Sequence, residues 1–286
     1  MAQALLNGVI SGLLIALPAI ALSLGYGVLN FANFSIGAMI TCGAYLAYWI
    51  NTSLGAPMLL AAPFAAIGLA AIAIAIQHGV YRKIEDGGHV TMLVASMGVA
   101  FVLENAVRLV YGADVRMLDV PVARPISWNG LRLNYEQLLI VVTASLALGA
   151  VNLLLKCTQI GRAMRAIADD PELAEVRGIS RRRTIDATWA VSGSLTAMAG
   201  MLIALDGVVE PLMGWNYLVS IFAAAVLGGI GKPLGAFAGA LIIGLAEETS
   251  ALLVSTTYRQ GISFVALILV LLLRPQGLFG KARIRG

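Results

Sequence analysis

Asp169-Asp170, followed at once by Pro171-Glu172, is the densest group of acids in this 286-residue chain. Paired carboxylates can hold a divalent metal against a pyrophosphate, but a D-D-x-x-D arrangement needs a third acid where Leu173 stands. Nucleotide chemistry is next. Gly231-Lys232 comes nearest to a phosphate-cradling G-x-x-x-x-G-K-[ST] loop, yet Pro233 follows it and Val226 occupies the place of the first glycine. No H-E-x-x-H and no G-x-S-x-G occurs. The only histidines are His78 and His89. Cys42 and Cys157 have no metal or redox spacing and read as reduced thiols packed like small apolar residues. The sequence therefore assigns no catalytic residue, no metal ligand and no cofactor to this chain.

The acids instead belong to a charged island, residues 156–187, in a chain otherwise almost wholly apolar. Ile160, Met164 and Ile167 fall on one helical face, with Arg162, Arg165 and Asp169 off it. Asp170 suits an N-cap, Pro171 the first helical position and Glu172 the positive helix end. A second short helix should follow with Leu173, Val176 and Ile179 as its apolar positions and Gly178 as its stop. Two short amphipathic helices joined by a rigid, acidic turn fit a docking element. An anionic lipid surface would attract the basic residues but repel Asp169, Asp170, Glu172 and Glu175.

What positions such an island is a membrane protein. The chain is 59% hydrophobic and 12% charged, whereas soluble domains run near a quarter charged. Its mean hydropathy is +0.89. Residues 1–81 contain no Asp, Glu, Lys or Arg. Nothing alternates as a β-barrel would, and no basic region precedes the first apolar run, which reads as a span rather than a cleaved signal. Apolar windows lie at 5–27, 30–50, 57–80, 91–111, 135–155, 187–205, 217–231, 234–254 and 257–274. The fold expected is all-α: one polytopic domain over 1–286 with eight or nine transmembrane segments. The second window is expected to be broken near Asn30, Asn33 and Ser35, and the seventh is short and glycine-rich.

Basic residues set the orientation. The island, the 82–90 loop with Arg82 and Lys83, Lys232, and the tail with Arg274, Lys281, Arg283 and Arg285 fall on one side, expected to be cytoplasmic together with the C-terminus. The 112–134 and 206–216 loops then face outward. Asp114, Arg116, Asp119, Arg124, Asp206, Glu210 and Trp215 are the candidates there to meet a binding protein or simply to be solvated.

The island also resembles a known family. Gly161-Arg162-Ala163-Met164-Arg165-Ala166-Ile167-Ala168-Asp169-Asp170, with Ala174 and Gly178-Ile179, is similar to the coupling loop of branched-chain amino-acid (Liv-type) ABC importer permeases. Ala223 to Gly231 with Gly235, Gly239, Gly244 and Glu247, and the Leu271-Leu272-Leu273-Arg274-Pro275-Gln276-Gly277-Leu278-Phe279-Gly280 tail, resemble two further stretches of that family in the same order. The resemblance implies a permease subunit in the bacterial inner membrane. It implies a second homologous permease, two ATPase subunits carrying ATP and Mg, and a periplasmic substrate-binding protein. Membrane lipid is a partner and nucleic acid is not. Gly161, Arg162, Arg165, Asp169, Asp170, Pro171, Glu172, Ala174 and Gly178 would then couple to the ATPase. The cargo implied is a branched-chain or other small hydrophobic amino acid.

One departure bears on cargo. Where the family carries a His and an acid in the second span, this chain has Ile36 and Ala38. That keeps urea or short-chain amides as an alternative cargo; an ATP-independent carrier or channel is the other class, but 1–81 offers no coupling carboxylate. Asn30, Asn33, Ser35, Gly37 and Glu247 are the candidates for the substrate pathway. Glu104 and Arg108, four apart, suit an ion pair within one helix. Gly228, Gly229, Gly231, Gly235, Gly239 and Gly244 are expected to let helices approach closely.

Overall fold

A computed structural model describes residues 1–119, 126–128, 131–251, 259–274 and 276–280. Helix α1 (Ala2–Leu29) is followed by α2 (Ile36–Leu54) and α3 (Met58–Ile76). The latter runs on through a π-helical turn (Gln77–Tyr81), the single turn α4 (Arg82–Ile84) and a 3-10 turn (Glu85–Gly87) into α5 (Gly88–Tyr111). Strands β1 (Ile126–Trp128) and β2 (Leu131–Leu133) form an antiparallel ribbon with Ser127 opposite Arg132. Then come α6 (Tyr135–Cys157), α7 (Gln159–Asp169), α8 (Pro171–Val176), α9 (Arg181–Asp206), α10 (Met213–Gly228), α11 (Pro233–Ser250) and α12 (Arg259–Leu273).

The fold is helical and built for a membrane. Four continuous stretches among the described residues, Ala2–Leu29, Met58–Tyr111, Tyr135–Cys157 and Arg181–Asp206, are long and apolar enough to cross one. Each expected apolar window meets a helix, though bounds move: the second begins at Ile36, because 30–35 is not helical, and α9 and α10 start several residues before their windows. Arg124, Pro275, Lys281, Arg283 and Arg285 lie outside the described residues.

Two helices make the core. Helix α1 packs on α11, α9 and α10, and α9 packs on α3, α2 and α1. Close approach is the organising device, because lipid gives helices no hydrophobic reason to associate and backbone proximity must supply the contacts. Gly8 and Gly12 of α1 face Leu245, Leu241 and Gly244 of α11; a Cβ on Gly244 would overlap the Gly12 backbone. On α9, a Cβ at Gly200 would strike the Ile40 backbone, and one at Gly193 would meet Ala73. Gly228, Gly235 and Gly239 join α10 to α11 in the same way. Gly229 and Gly231 differ from the expectation: with φ +99° and +84°, they shape the turn between those helices.

The helices alternate between two ends. At one end the tail folds over α10: the Leu278 N–H donates to Leu227 O (2.7 Å) and the Phe279 N–H to Gly228 O (3.3 Å). These occupy carbonyls that a helix terminus otherwise leaves free. Lys232 Nζ donates to Phe279 O nearby. Arg181 pairs with Glu85 at 2.8 Å, so the 82–90 loop, the island, Lys232 and the tail gather at one end as orientation by charge expects. At the opposite end Arg116 and Val209 bridge the 112–134 and 206–216 loops with backbone bonds of 2.9 and 2.8 Å. Gln3 exchanges two 3.0 Å bonds with the Arg132 backbone there, which puts the N-terminus at that end too.

Candidate coupling loop and transport cleft

The island is built from a tight corner. Helix α6 ends at Cys157, and Thr158 turns the chain: its hydroxyl donates to Leu154 O (2.6 Å) and accepts from the Gly161 N–H (3.0 Å). This N-cap was not picked out from the sequence, although Thr is a preferred capping residue. Gly161 then lies so close to α6 that a Cβ would overlap the Leu154 and Leu155 backbones. Arg165 donates to Leu155 O across the same corner.

Close packing at Gly161 sets the face that α7 buries. Gly161, Met164 and Ile167 point inward, while Ile160 is 48% exposed, contrary to the face expected from spacing. Centring the contact on Gly161 rotates Ile160 to the edge. Arg162 and Asp169 are exposed.

Asp170 ends α7 and starts α8. Its backbone is extended (φ −156°) and its carboxylate accepts from the Leu173 N–H at 3.0 Å, with Pro171 in the first turn and Glu172 beside it, as read from the sequence. Gly178, at φ +83°, stops α8; the Ile179 N–H reaches back to Ala174 O at 3.0 Å. The apolar positions are corrected. Only Ala174 is buried, while Leu173 and Val176 are 54% and 84% exposed. A small anchor lets α8 sit down on the protein and turns its larger apolar side chains outward.

The second feature is the break between α1 and α2. Asn30 adopts left-handed backbone (φ +57°), which Asn tolerates, and its N–H closes α1 on Tyr26 O (2.8 Å). Asn33 organises the rest of the break. Its Oδ1 accepts from Ser35 N (3.0 Å), Ser35 Oγ (2.7 Å) and Tyr81 OH (3.3 Å). Ser96 of α5 accepts from the Phe34 N–H at 3.0 Å. Tyr81, in the π-helical turn, stacks on Trp189 of α9 at 4.8 Å. Neither ring was singled out by sequence; a π-turn just after the third apolar run leaves no pattern that a periodicity reading detects.

Beside this break lies a narrow cleft of about 20 Å³, lined by Gly25, Asn33, Ile36, Met39, Trp189 and Thr196 among others. It is mostly apolar, with a few polar groups converging. The Trp189 Nε1–H is buried with no partner among the described residues. Ile36, which stands where the resembling family has a His, is part of the wall.

The pathway candidates separate. Asn33 lines the cleft and Ser35 braces it, whereas Asn30 faces a groove at the charged end. Gly37 packs its backbone on Gly214 of α10. Glu247, 6% exposed, accepts from Ser220 Oγ (2.5 Å) and from Ser263 Oγ, tying α10, α11 and α12 together away from the cleft. Glu104 and Arg108 pair at 2.7 Å within α5 as expected. Trp215 is not a loop residue; it lies in α10 and donates to Glu104 at 2.9 Å. Asp114, Asp119 and Asp206 are exposed at the opposite end.

Comparison with known proteins agrees with this architecture. The model of a family described as the branched-chain amino acid transport system permease component matches residues 4–271. The high-affinity branched-chain amino acid transport system permease protein BraD of Pseudomonas aeruginosa is 33% identical, with 99% of this chain and 96% of that protein covered. The corresponding LivH of Escherichia coli shows the same identity and coverage. Among solved structures, PsaBC from Streptococcus pneumoniae in complex with Fab has a TM-score of 0.51 at 12% identity, covering 96% of this chain and 92% of that one, a likeness of fold. Loop, tail and glycine seams thus sit in a multi-pass membrane protein that belongs to the family of branched-chain amino acid transport permease components.

Proposed function

We propose that this chain is the membrane-spanning permease subunit of an ATP-driven importer in the bacterial inner membrane. It passes branched-chain or other small hydrophobic amino acids, delivered by a periplasmic binding protein, into the cytoplasm. A second homologous permease completes the pathway, and two ATPase subunits bind the α7–α8 loop. The single observation that carries this reading is α8 itself. It is capped at both ends, anchored by Ala174, and presents Leu173 and Val176 to the outside at the charged end. A short rigid helix with outward apolar side chains suits the helix-in-groove mode of recognition.

The mechanism rests on the contacts of α9. Movement of α7–α8 passes into the foot of α9, where Arg181 pairs with Glu85 and Asp186 with His78 (both 2.8 Å). His78 lies within the π-helical turn that carries Tyr81, and Glu85 follows shortly after it. Tyr81 stacks on Trp189 and bonds Asn33 and Ser35. A push on the loop therefore reaches the break beside the cleft through direct contacts. At the far end, the bridged 112–119 and 207–212 segments offer Asp114, Asp119 and Glu210 to a binding protein.

The test is recovery of partners from detergent-solubilised host membranes, identified by mass spectrometry. A Walker-type ATPase should co-purify with the natural chain and be lost from Leu173→Asp with Val176→Asp, while the variant still inserts. A chain recovered alone that transports in liposomes without ATP would overturn the reading.

A further inference from the structure

Helices α6 and α11 both pack on α1 but barely touch each other. Two connected grooves occupy the gap. One, of about 230 Å³, is apolar and bounded by Ile20, Leu148, Val151, Leu155 and Phe237. Gly149 also lines it, and a Cβ there would meet nothing within 4 Å. The other, of about 340 Å³, shares Asn152, Leu155, Pro233 and Leu234 with the first and opens at the charged end beside Lys156 and Arg165. A third groove continues past Arg165 to Lys232, with Asp169 the acid at its rim. None of these three cations forms an ion pair with a carboxylate among the described residues; Arg165 and Lys232 donate only to the backbone carbonyls of Leu155 and Phe279.

We propose that this trench is a binding site for one anionic phospholipid of the cytoplasmic leaflet. Its phosphate sits among Lys156, Arg165 and Lys232, and an acyl chain lies along α6 past Gly149. Charge selects the occupant: three cations against one acid stand where an apolar slot meets the headgroup level, and basic pockets between helices on that side take anionic headgroups. Shape agrees. The apolar groove follows α6 for about 11 Å, at 1.5 Å per residue from Leu148 to Leu155, a path an acyl chain can take away from the cations. Because α7 forms one wall, a lipid seated here would bear on the coupling loop. The proposal rests on the orientation given under Proposed function.

The experiment uses the complete transporter purified in mild detergent, with phosphatidylglycerol, phosphatidylcholine and inorganic phosphate as separate probes. Phosphatidylglycerol should raise the melting temperature and persist as one molecule per chain in native mass spectra. Lys156→Gln with Lys232→Gln should weaken its apparent affinity about 30-fold, from the typical contribution of each cation near a membrane surface. Gly149→Leu, which fills the slot without changing charge, should weaken it as well. Equal binding of phosphatidylcholine, full competition by inorganic phosphate, indifference to both variants, or a cysteine at position 149 that crosslinks to the second permease would each overturn the proposal. The ATPase retained in the same preparation reports on the transport reading separately.

Discussion

The α1–α11 seam and the α7–α8 loop are both set by a glycine with no room for a side chain, yet they do opposite things with it. At the seam, Gly8, Gly12 and Gly244 bring two backbones together over several turns. At the loop, Gly161 fixes the first turn of α7, Met164 and Ile167 carry the buried face along it, and only Ala174 of α8 is buried. The seam is a fixed joint. The loop is held by small contacts on its inner face and leaves an apolar surface on its outer one. Motion must then be absorbed elsewhere, and the non-helical 30–35 segment and the π-helical turn at 77–81 are where the helical hydrogen-bond pattern is already interrupted.

This contrast can be broken at either region. The largest effect should come from Gly244→Leu, because any side chain there collides with the Gly12 backbone. Loss of the monodisperse peak in size-exclusion chromatography is expected, and a normal peak would mean the seam yields. Next are Asp170→Arg and Arg165→Glu, which should abolish uptake of labelled leucine while leaving the amount of inserted protein near normal. Asp170→Arg also removes a cap worth about 1 kcal/mol. Normal uptake by both would detach the loop from coupling. Smallest is Tyr81→Phe. It removes the one hydroxyl proton that Asn33 Oδ1 and Ser35 Oγ share at 3.3 Å and keeps the stack on Trp189, so stability should fall by about 1 kcal/mol or less, with uptake reduced severalfold at most. Uptake lost altogether in that variant would give the hydroxyl a larger share in the motion than the stacking.

Much of this molecule was legible in its sequence, for physical reasons. Helices in lipid need unbroken apolar runs, so each window found its helix. Caps are local, so Asp170, Pro171 and Gly178 could be placed from neighbours alone. Faces were harder. Periodicity assumes that apolar residues point inward, and in α8 Leu173 and Val176 do not. The β1–β2 ribbon is too short to show alternation. Tyr81 and Trp189 are 108 residues apart in the chain, and only the packing of α9 against α3 and its π-turn brings them together. Trp215 was misplaced because α10 starts at Met213, before the hydrophobic window opens.

The strap formed by residues 276–280 has a consequence for biogenesis. The final carbonyls of α10 stay open until a segment made some fifty residues later leaves the ribosome and folds back onto Leu227 and Gly228. Until then the α10–α11 hairpin has two backbone carbonyls without these partners at its charged end. A chain stopped at Leu273 would keep every described helix and lose the two bonds that cover the Leu227 and Gly228 carbonyls.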